Sequence, residues 1–430
     1  MPTGLLAAAA LALSAMTASA PDPLDPVAEG YVRLVLAVGR LAPGYVDAYF
    51  GPPEWQSEAE RAGKRPLPEV AAEADRLLGA ARAAKVGDRD GALRRDFLEG
   101  QLSALRAYLE VLGGKRLPFD DEARALYGVA PPRRELSSLE FAPARLGEIL
   151  PGPGPVLARY QAWKERLAIP RERVEPVMRA AIEEVRRRTL RHLSLPAGER
   201  FALSLVTGKP WSAYNWYRGK AESLIEVNTD LPRYAFDALA LAAHEGYPGH
   251  HVFNALQEAR LAVGRRQVEH TVYPLYAPIS LVAEGSAEAG VELVFPEAER
   301  LAFERDVLFP MAGLDPSEAA RAARIRKLLR DLRPAGPELA RRYLDGSLTA
   351  DQVRRWEVDY GLRTPEEAAK YLQFVDAYRS YVVNYSYGEE LVEGWLDARA
   401  GPDPAARWAA FVDLLGSPRL PAALLARQAR

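Results

Sequence analysis

The sequence predicts a mainly α protein, an α+β fold with one small β-sheet beside the helix that carries its densest cluster of histidines. Three observations predict it. Long segments repeat apolar residues every three or four positions, the period of a helix with one buried face. Strand character is confined to two short runs, 200–206 and 223–228, both just ahead of the histidine cluster. Pro and Gly punctuate the helical segments, as in Pro151-Gly152-Pro153-Gly154-Pro155.

Taken in order, residues 1–20 read as an export signal: 5–13 is a short apolar core, and Ala18-Ser19-Ala20 suits a small-residue cleavage site. No Lys or Arg precedes the apolar core, and Pro21 would follow the cut, so a cytoplasmic chain with an Ala-rich N-terminus is the alternative. Helical periodicity over 27–42, 69–84 and 93–112 makes residues 21–150 an N-terminal helical region. The Pro-Gly run at 151–155 is a candidate hinge into a second region over 151–430, with one continuous domain as the alternative. That region holds helical segments at 155–167 and 171–193, then the two strands. An apolar run at 238–243 follows, then a helix over 279–295, and helical periodicity returns through most of 316–429.

The bulk composition excludes several classes. The chain has 430 residues, 48% hydrophobic and 27% charged, enough for a substantial core. A net charge of −2 gives no basic surplus for nucleic acid. No stretch after the N-terminus is apolar enough to span a bilayer. With no cysteine there is no disulfide, no lipid-anchor thiol, no thiolate zinc site and no cysteine nucleophile. No Gly-rich phosphate loop and no serine nucleophile elbow is present.

Residues 244–251 read His-Glu-Gly-Tyr-Pro-Gly-His-His and hold three of the five histidines. Neutral imidazoles bind a metal ion, and an adjacent carboxylate takes a proton from water. In the usual zinc helix, H-E-x-x-H, the histidines lie at i and i+4. Here i+4 is Pro248, which has no N–H for the helix ladder, followed by Gly249. A kink or two-residue bulge would carry His250 to the i+4 place. On an undistorted helix His251, at i+7, would share the face but sit about 10 Å along the axis, too far to share one ion. His250 is therefore the expected second ligand beside His244. His251 is the alternative, or a substrate-facing or ligand-orienting group. Glu245 is the expected general base.

A catalytic zinc needs a third protein ligand. The helix over 279–295 carries Glu284, Glu288 and Glu292 along one stripe. Leu281, Val282, Ala283, Gly285 and Ala287 make the surroundings of Glu284 a poor solvent face, so Glu284 is the expected third ligand. Glu288 is a candidate to hydrogen-bond a ligating histidine, and Glu292 reads as a solvated acidic face.

The H-E-x-x-P-G-H-H run resembles the signature of a bacterial domain-of-unknown-function family (domain of unknown function 885) in the zincin-like metallopeptidase clan. Residues 225–232 are similar to that family's short strand ending in an Asn. Ala283-Glu284-Gly285-Ser286-Ala287 is similar to its E-G-W-A block, with Ser286 in place of Trp. Tyr385-Ser386-Tyr387-Gly388 is similar to a C-terminal Tyr-x-x-Gly block. The resemblance implies a zincin-like helical metallopeptidase fold and favours Tyr385 as a catalytic residue.

A phenol or guanidinium aimed at a tetrahedral oxyanion stabilises it, so Tyr385 and Arg379 are candidates. Residues 223–228, if an exposed strand edge, would hold an extended peptide by backbone hydrogen bonds. Asn228 would then donate to a substrate carbonyl, or instead stabilise the turn at 229–232. His192 and His270 read as structural or surface residues. The sequence thus predicts a zinc-dependent hydrolase acting on a peptide or small amide. A non-peptide amide or ester hydrolase, and a catalytically silent zincin-like binding protein, are the alternatives.

Overall fold

The computed structural model describes residues 22–209 and 211–425, so the export-signal reading of 1–20 lies outside the described residues. The apolar periods become buried helix faces. The helix Asp25–Leu41 buries Val27, Tyr31, Leu34 and Val38, and Leu67–Ala83 buries Val70, Ala74, Leu77 and Ala81. Arg89–Leu112 is capped by the Asp88 carboxylate, which accepts from the Gly91 N–H at 2.7 Å. These three helices form the smaller of two large hydrophobic clusters. Its buried cation, Arg94, bonds Glu269 at 2.7 Å and also Asp22 and Asp25, tying the N-terminal helices to the segment just ahead of the strand Val272–Pro274.

The larger core draws on Phe119–Tyr127, Ala142–Ile149, Val156–Arg166 and almost every later helix. Helices on both sides of the Pro-Gly run at 151–155 therefore feed one core. The clusters divide nearer residue 110 than at the expected hinge. Among the described residues, no helix is long and apolar enough to cross a membrane.

Among the described residues five strands make two small sheets, where the sequence predicts one. β2 (Arg200–Val206) runs parallel to β4 (Glu222–Asn228), and β3 (Ala213–Tyr217) runs antiparallel to β4 on its other side. β1 (Val46–Tyr49) pairs antiparallel with β5 (Val272–Pro274). β1 and β5 are too short to display a period of two, and β3 carries a central Asn, a residue depleted in strands. β4 is the central strand, so residues 223–228 are not an exposed edge and cannot take a peptide as expected. The edge strand nearest the histidines is β3.

Candidate metal centre

The helix Ala235–Glu245 buries Ala235, Phe236, Ala238, Leu239, Ala242 and Ala243, driving its C-terminal His-Glu pair into the interior. The expected bulge is instead a full break. The helix stops at Glu245, four residues cross over, and a new helix runs His250–Leu256. Pro248 has no N–H to continue the ladder. The Gly249 N–H instead folds back onto the Ala243 carbonyl at 2.9 Å. A Cβ on Gly249 would lie 1.9 Å from the His244 carbonyl oxygen, so only glycine lets the loop return so tightly. The return brings His250 Nε2 to 3.1 Å from His244 Nε2.

Glu284, on the helix Pro278–Val294, completes a triangle. Its Oε2 lies 3.4 Å from His244 Nε2 and 3.6 Å from His250 Nε2. Tetrahedral zinc, with bonds of about 2.0–2.1 Å, spaces its ligand atoms about 3.3–3.4 Å apart. The three measured sides bracket that spacing. Glu284 Oε2 is buried and makes no hydrogen bond, while Oε1 accepts from the Tyr381 hydroxyl at 2.9 Å. One oxygen is thus held and the other aimed, as a metal ligand requires. His244, His250 and Glu284 together fit a divalent cation.

Electrostatics favour a cation here. Burial alone would lower the His244 pKa, but Glu284, Glu288 and Glu245 raise it to about 9. Burial works against ionised Glu284, yet His250 and His244 hold it well below the usual carboxylate range. Burial pushes the neighbouring Glu245 carboxyl up, opposed by the two histidines. Glu288 sits with Oε1 3.5 Å from His244 Nδ1, while its Oε2 binds Arg333 at 2.7 Å.

The triad opens on a cavity of about 920 Å³ that Glu245, Glu288 and Tyr385 also line, with Trp211, Tyr214 and Trp216 on the β3 side. Tyr385 makes no hydrogen bond through its hydroxyl among the described residues, and burial with the nearby glutamates raises its pKa well above normal.

Three candidates lie elsewhere. Fully buried His251 bonds Ser223 Oγ through Nδ1 at 2.8 Å and Glu199 through Nε2 at 3.2 Å, so it faces neither the triad nor the cavity. Asn228 donates to the Lys209 and Trp211 carbonyls, each at 2.9 Å, and accepts from the Asp230 N–H at 3.0 Å, so it stabilises the turn at 229–232, the expected alternative to a substrate contact. Arg379 pairs with Glu122 at 2.7 Å and donates to the Leu117 carbonyl, away from the cavity. Each side chain satisfies a partner distant in sequence, which sequence order alone does not reveal. His270 stacks on Phe97 and His192 on Trp408, both in packing positions. Glu292 pairs with Arg330 at 3.2 Å.

Sequence reasoning missed Tyr381, whose spacing of four from Tyr385 was the available signal. It also missed a buried chain behind the base. Glu199 and Ser223 bracket His251, the Ser223 hydroxyl donates to Asn215 Oδ1 at 3.0 Å, and Asn215 Nδ2 donates to the Glu245 carbonyl at 2.6 Å. Arg186 and Tyr247 also bond Glu199; together with His251 they overcome burial and bring its pKa down to about 2. Nothing local in sequence joins these residues.

No protein-family model and no curated protein matches the chain. Its fold is similar to that of a presumptive lipoprotein from Colwellia psychrerythraea, with a TM-score of 0.52 and 15% identity over 86% of this chain and 71% of that one. A presumptive lipoprotein of unknown function from Shewanella oneidensis aligns with a TM-score of 0.44 and 13% identity over 92% of this chain and 82% of that one. At such identities the first likeness concerns the fold alone.

Proposed function

We propose that the protein is an exported, zinc-dependent hydrolase of the zincin type that cleaves peptide bonds. The observation that carries the reading is the triangle of His244, His250 and Glu284, with the hydrogen-bond-free Glu284 Oε2 aimed at both imidazoles and Glu245 lining the same cavity. A divalent cation held there supplies Lewis-acid polarisation and lowers the pKa of water. Glu245, which lines the cavity beside the triangle, takes the proton of the attacking water and returns it to the leaving amine. Tyr385 donates to the oxyanion as the carbonyl becomes tetrahedral. Tyr381 fixes the Glu284 carboxylate, and Glu288 orients His244.

The resemblance to the zincin-like family of unknown function supports the same chemistry. An envelope or secreted location is supported by the short apolar core at 5–13 followed by Ala18-Ser19-Ala20. The test is elemental analysis of purified protein, expected to give about one zinc per chain, with a peptide-library digest before and after chelation. Metal-free protein, or cleavage indifferent to chelation, overturns the proposal.

A further inference from the structure

Beside the main cavity lies a second, of about 650 Å³, and the two share Trp211, Ser212, Arg233, Phe374 and Tyr385. Their charges are opposite in sense. The first is lined by the carboxylates of Asp47, Asp237, Glu245, Glu284 and Glu288. The second is lined by six Lys and Arg side chains against Asp230, Glu357 and Glu367. Three of those cations are already matched: Lys164 by Glu367 at 2.8 Å, Arg363 by Glu357 at 2.9 Å, and Arg333 by Glu288 and Glu389. Arg233, Lys209 and Lys370 have no ion pair among the described residues.

Of the three, Arg233 stands at the waist between the cavities, and it is only partly exposed. Its guanidinium reaches just two carbonyls, Leu231 at 3.4 Å and Ser212 at 3.5 Å, both long and weak. The Asp237 carboxylate acts on it only from beyond ion-pair distance, so the guanidinium fork is unfilled, and its geometry matches a carboxylate with two parallel N–H bonds.

We propose that Arg233 anchors a carboxylate of the peptide substrate at the waist between the two cavities. The proposal rests on the peptidase reading and adds its substrate class: peptides bearing a carboxylate within reach of the scissile bond. That carboxylate is the free C-terminus or an Asp or Glu side chain. The acidic lining of the first cavity repels such a group, so Arg233 also sets the direction in which the peptide lies.

The test is titration calorimetry of unlabelled, N-acetylated pentapeptides against the full chain carrying Glu245→Gln, which prevents turnover during the measurement. Three peptides are compared: one uncharged sequence as the free acid, the same sequence as its C-terminal amide, and that amide with its central residue replaced by Asp. A carboxylate held by a partly buried guanidinium is expected to bind at least about 10-fold more tightly than the neutral peptide. Preference for the free acid alone identifies the C-terminus, and preference for the Asp amide alone identifies a side chain. Arg233→Gln should bring the favoured peptide to the neutral level, and Arg233→Lys should keep part of the preference. Equal affinities for all three peptides, binding by none, or a preference that survives Arg233→Gln overturns the proposal. The comparison among peptides needs no variant at Arg233, so misfolding of Arg233→Gln does not shelter it. A failed hydrolase reading shows separately, as absent metal and absent cleavage in the unmutated protein.

Discussion

Gly285 and Gly388 meet backbone to backbone: a Cβ on Gly285 would lie 2.4 Å from the carbonyl carbon of Gly388. This crossing brings the helix Pro278–Val294 against the helix Val383–Ala400. Glu284 and Tyr385 flank the contact, one residue before Gly285 and three before Gly388, and the turn carrying Tyr381 reaches Glu284 across the same junction. Two of the four sequence blocks that resemble a family, 283–287 and 385–388, are therefore two halves of one contact.

Gly285→Ala should force the helices apart. Inserting a methyl into a packed crossing costs about 1–3 kcal/mol, so thermal melting should fall measurably. Because the shift moves Glu284 relative to the histidines, metal content should fall with it. A surface glycine such as Gly79, with no atom within 4 Å of its would-be Cβ, is the control that should leave the metal in place.

The adjacent histidines separate by location. His250→Ala removes a corner of the triangle and should abolish stoichiometric metal with little loss of fold. His251→Ala leaves the triangle intact but strips buried Glu199 of a partner, so it should keep metal while losing about 1–3 kcal/mol of stability. Elemental analysis and melting on the two variants check the pair, and the reverse pattern contradicts the geometry described here.

Much of this was legible in sequence because the signals were local. The 3–4 residue apolar spacing located the helices Asp25–Leu41, Leu67–Ala83 and Arg171–Thr189 to within a few residues. Pro248 and Gly249 announced a disturbed helix, and steric reach then favoured His250. The form of the disturbance was not legible, since a bulge and a broken, restarted helix present the same residues. Arg379 misled because its partner, Glu122, lies across the fold, and of the two roles open to Asn228 the structure shows the turn-stabilising one, with Oδ1 accepting from the Asp230 N–H at 3.0 Å. The edge-strand reading of 223–228 failed for a similar reason: the neighbour that buries β4's second side, β3, carries Asn215 at its centre and reads poorly as a strand.

Tyr381→Phe removes only the hydroxyl that holds Glu284 Oε1. The ligand set survives, so the protein should still bind one zinc, about 10-fold more weakly, the lower end of the range for losing such a supporting bond. Competition with a zinc-binding dye reads this directly. Unchanged affinity removes Tyr381 from the support of the site.

His270 gives the fold a pH dependence remote from the triad. It is buried against Phe97, and neither ring nitrogen has a hydrogen-bond partner. Burial, helped by Arg94 and Arg265, pushes its pKa down to about 3. The unfolded chain takes up its proton near pH 6.5. The folded state thus keeps its full advantage above about pH 6.5 and loses it as pH falls toward 3, by at most about 1.4 kcal/mol per unit. His270→Phe keeps the stacked ring without the titrating nitrogens. Its denaturant midpoint should fall less steeply than the wild-type value between pH 6.5 and 4.5. Parallel curves would show that other groups carry the acid sensitivity.

Glu245 lines the cavity beside the triangle, and no ion pair or side-chain hydrogen bond involves its carboxylate among the described residues. Its backbone carbonyl is pinned by Asn215 Nδ2 at 2.6 Å, at the end of the chain from Glu199 through His251 and Ser223. The position of residue 245 therefore does not depend on its own side chain. Glu245→Gln should leave fold and metal content unchanged while removing the proton acceptor. On any substrate the wild type cleaves, kcat should fall by about 10² or more. KM should move little, because substrate binding rests on the cavity walls and the metal. Asn215→Ala should give a milder fall in kcat, since it loosens the base without removing it, and the conservative Asn215→Gln should not repair it, because the longer side chain cannot reproduce both bonds. Wild-type turnover in Glu245→Gln, with metal still bound, would assign the proton transfer to another group and overturn the mechanism.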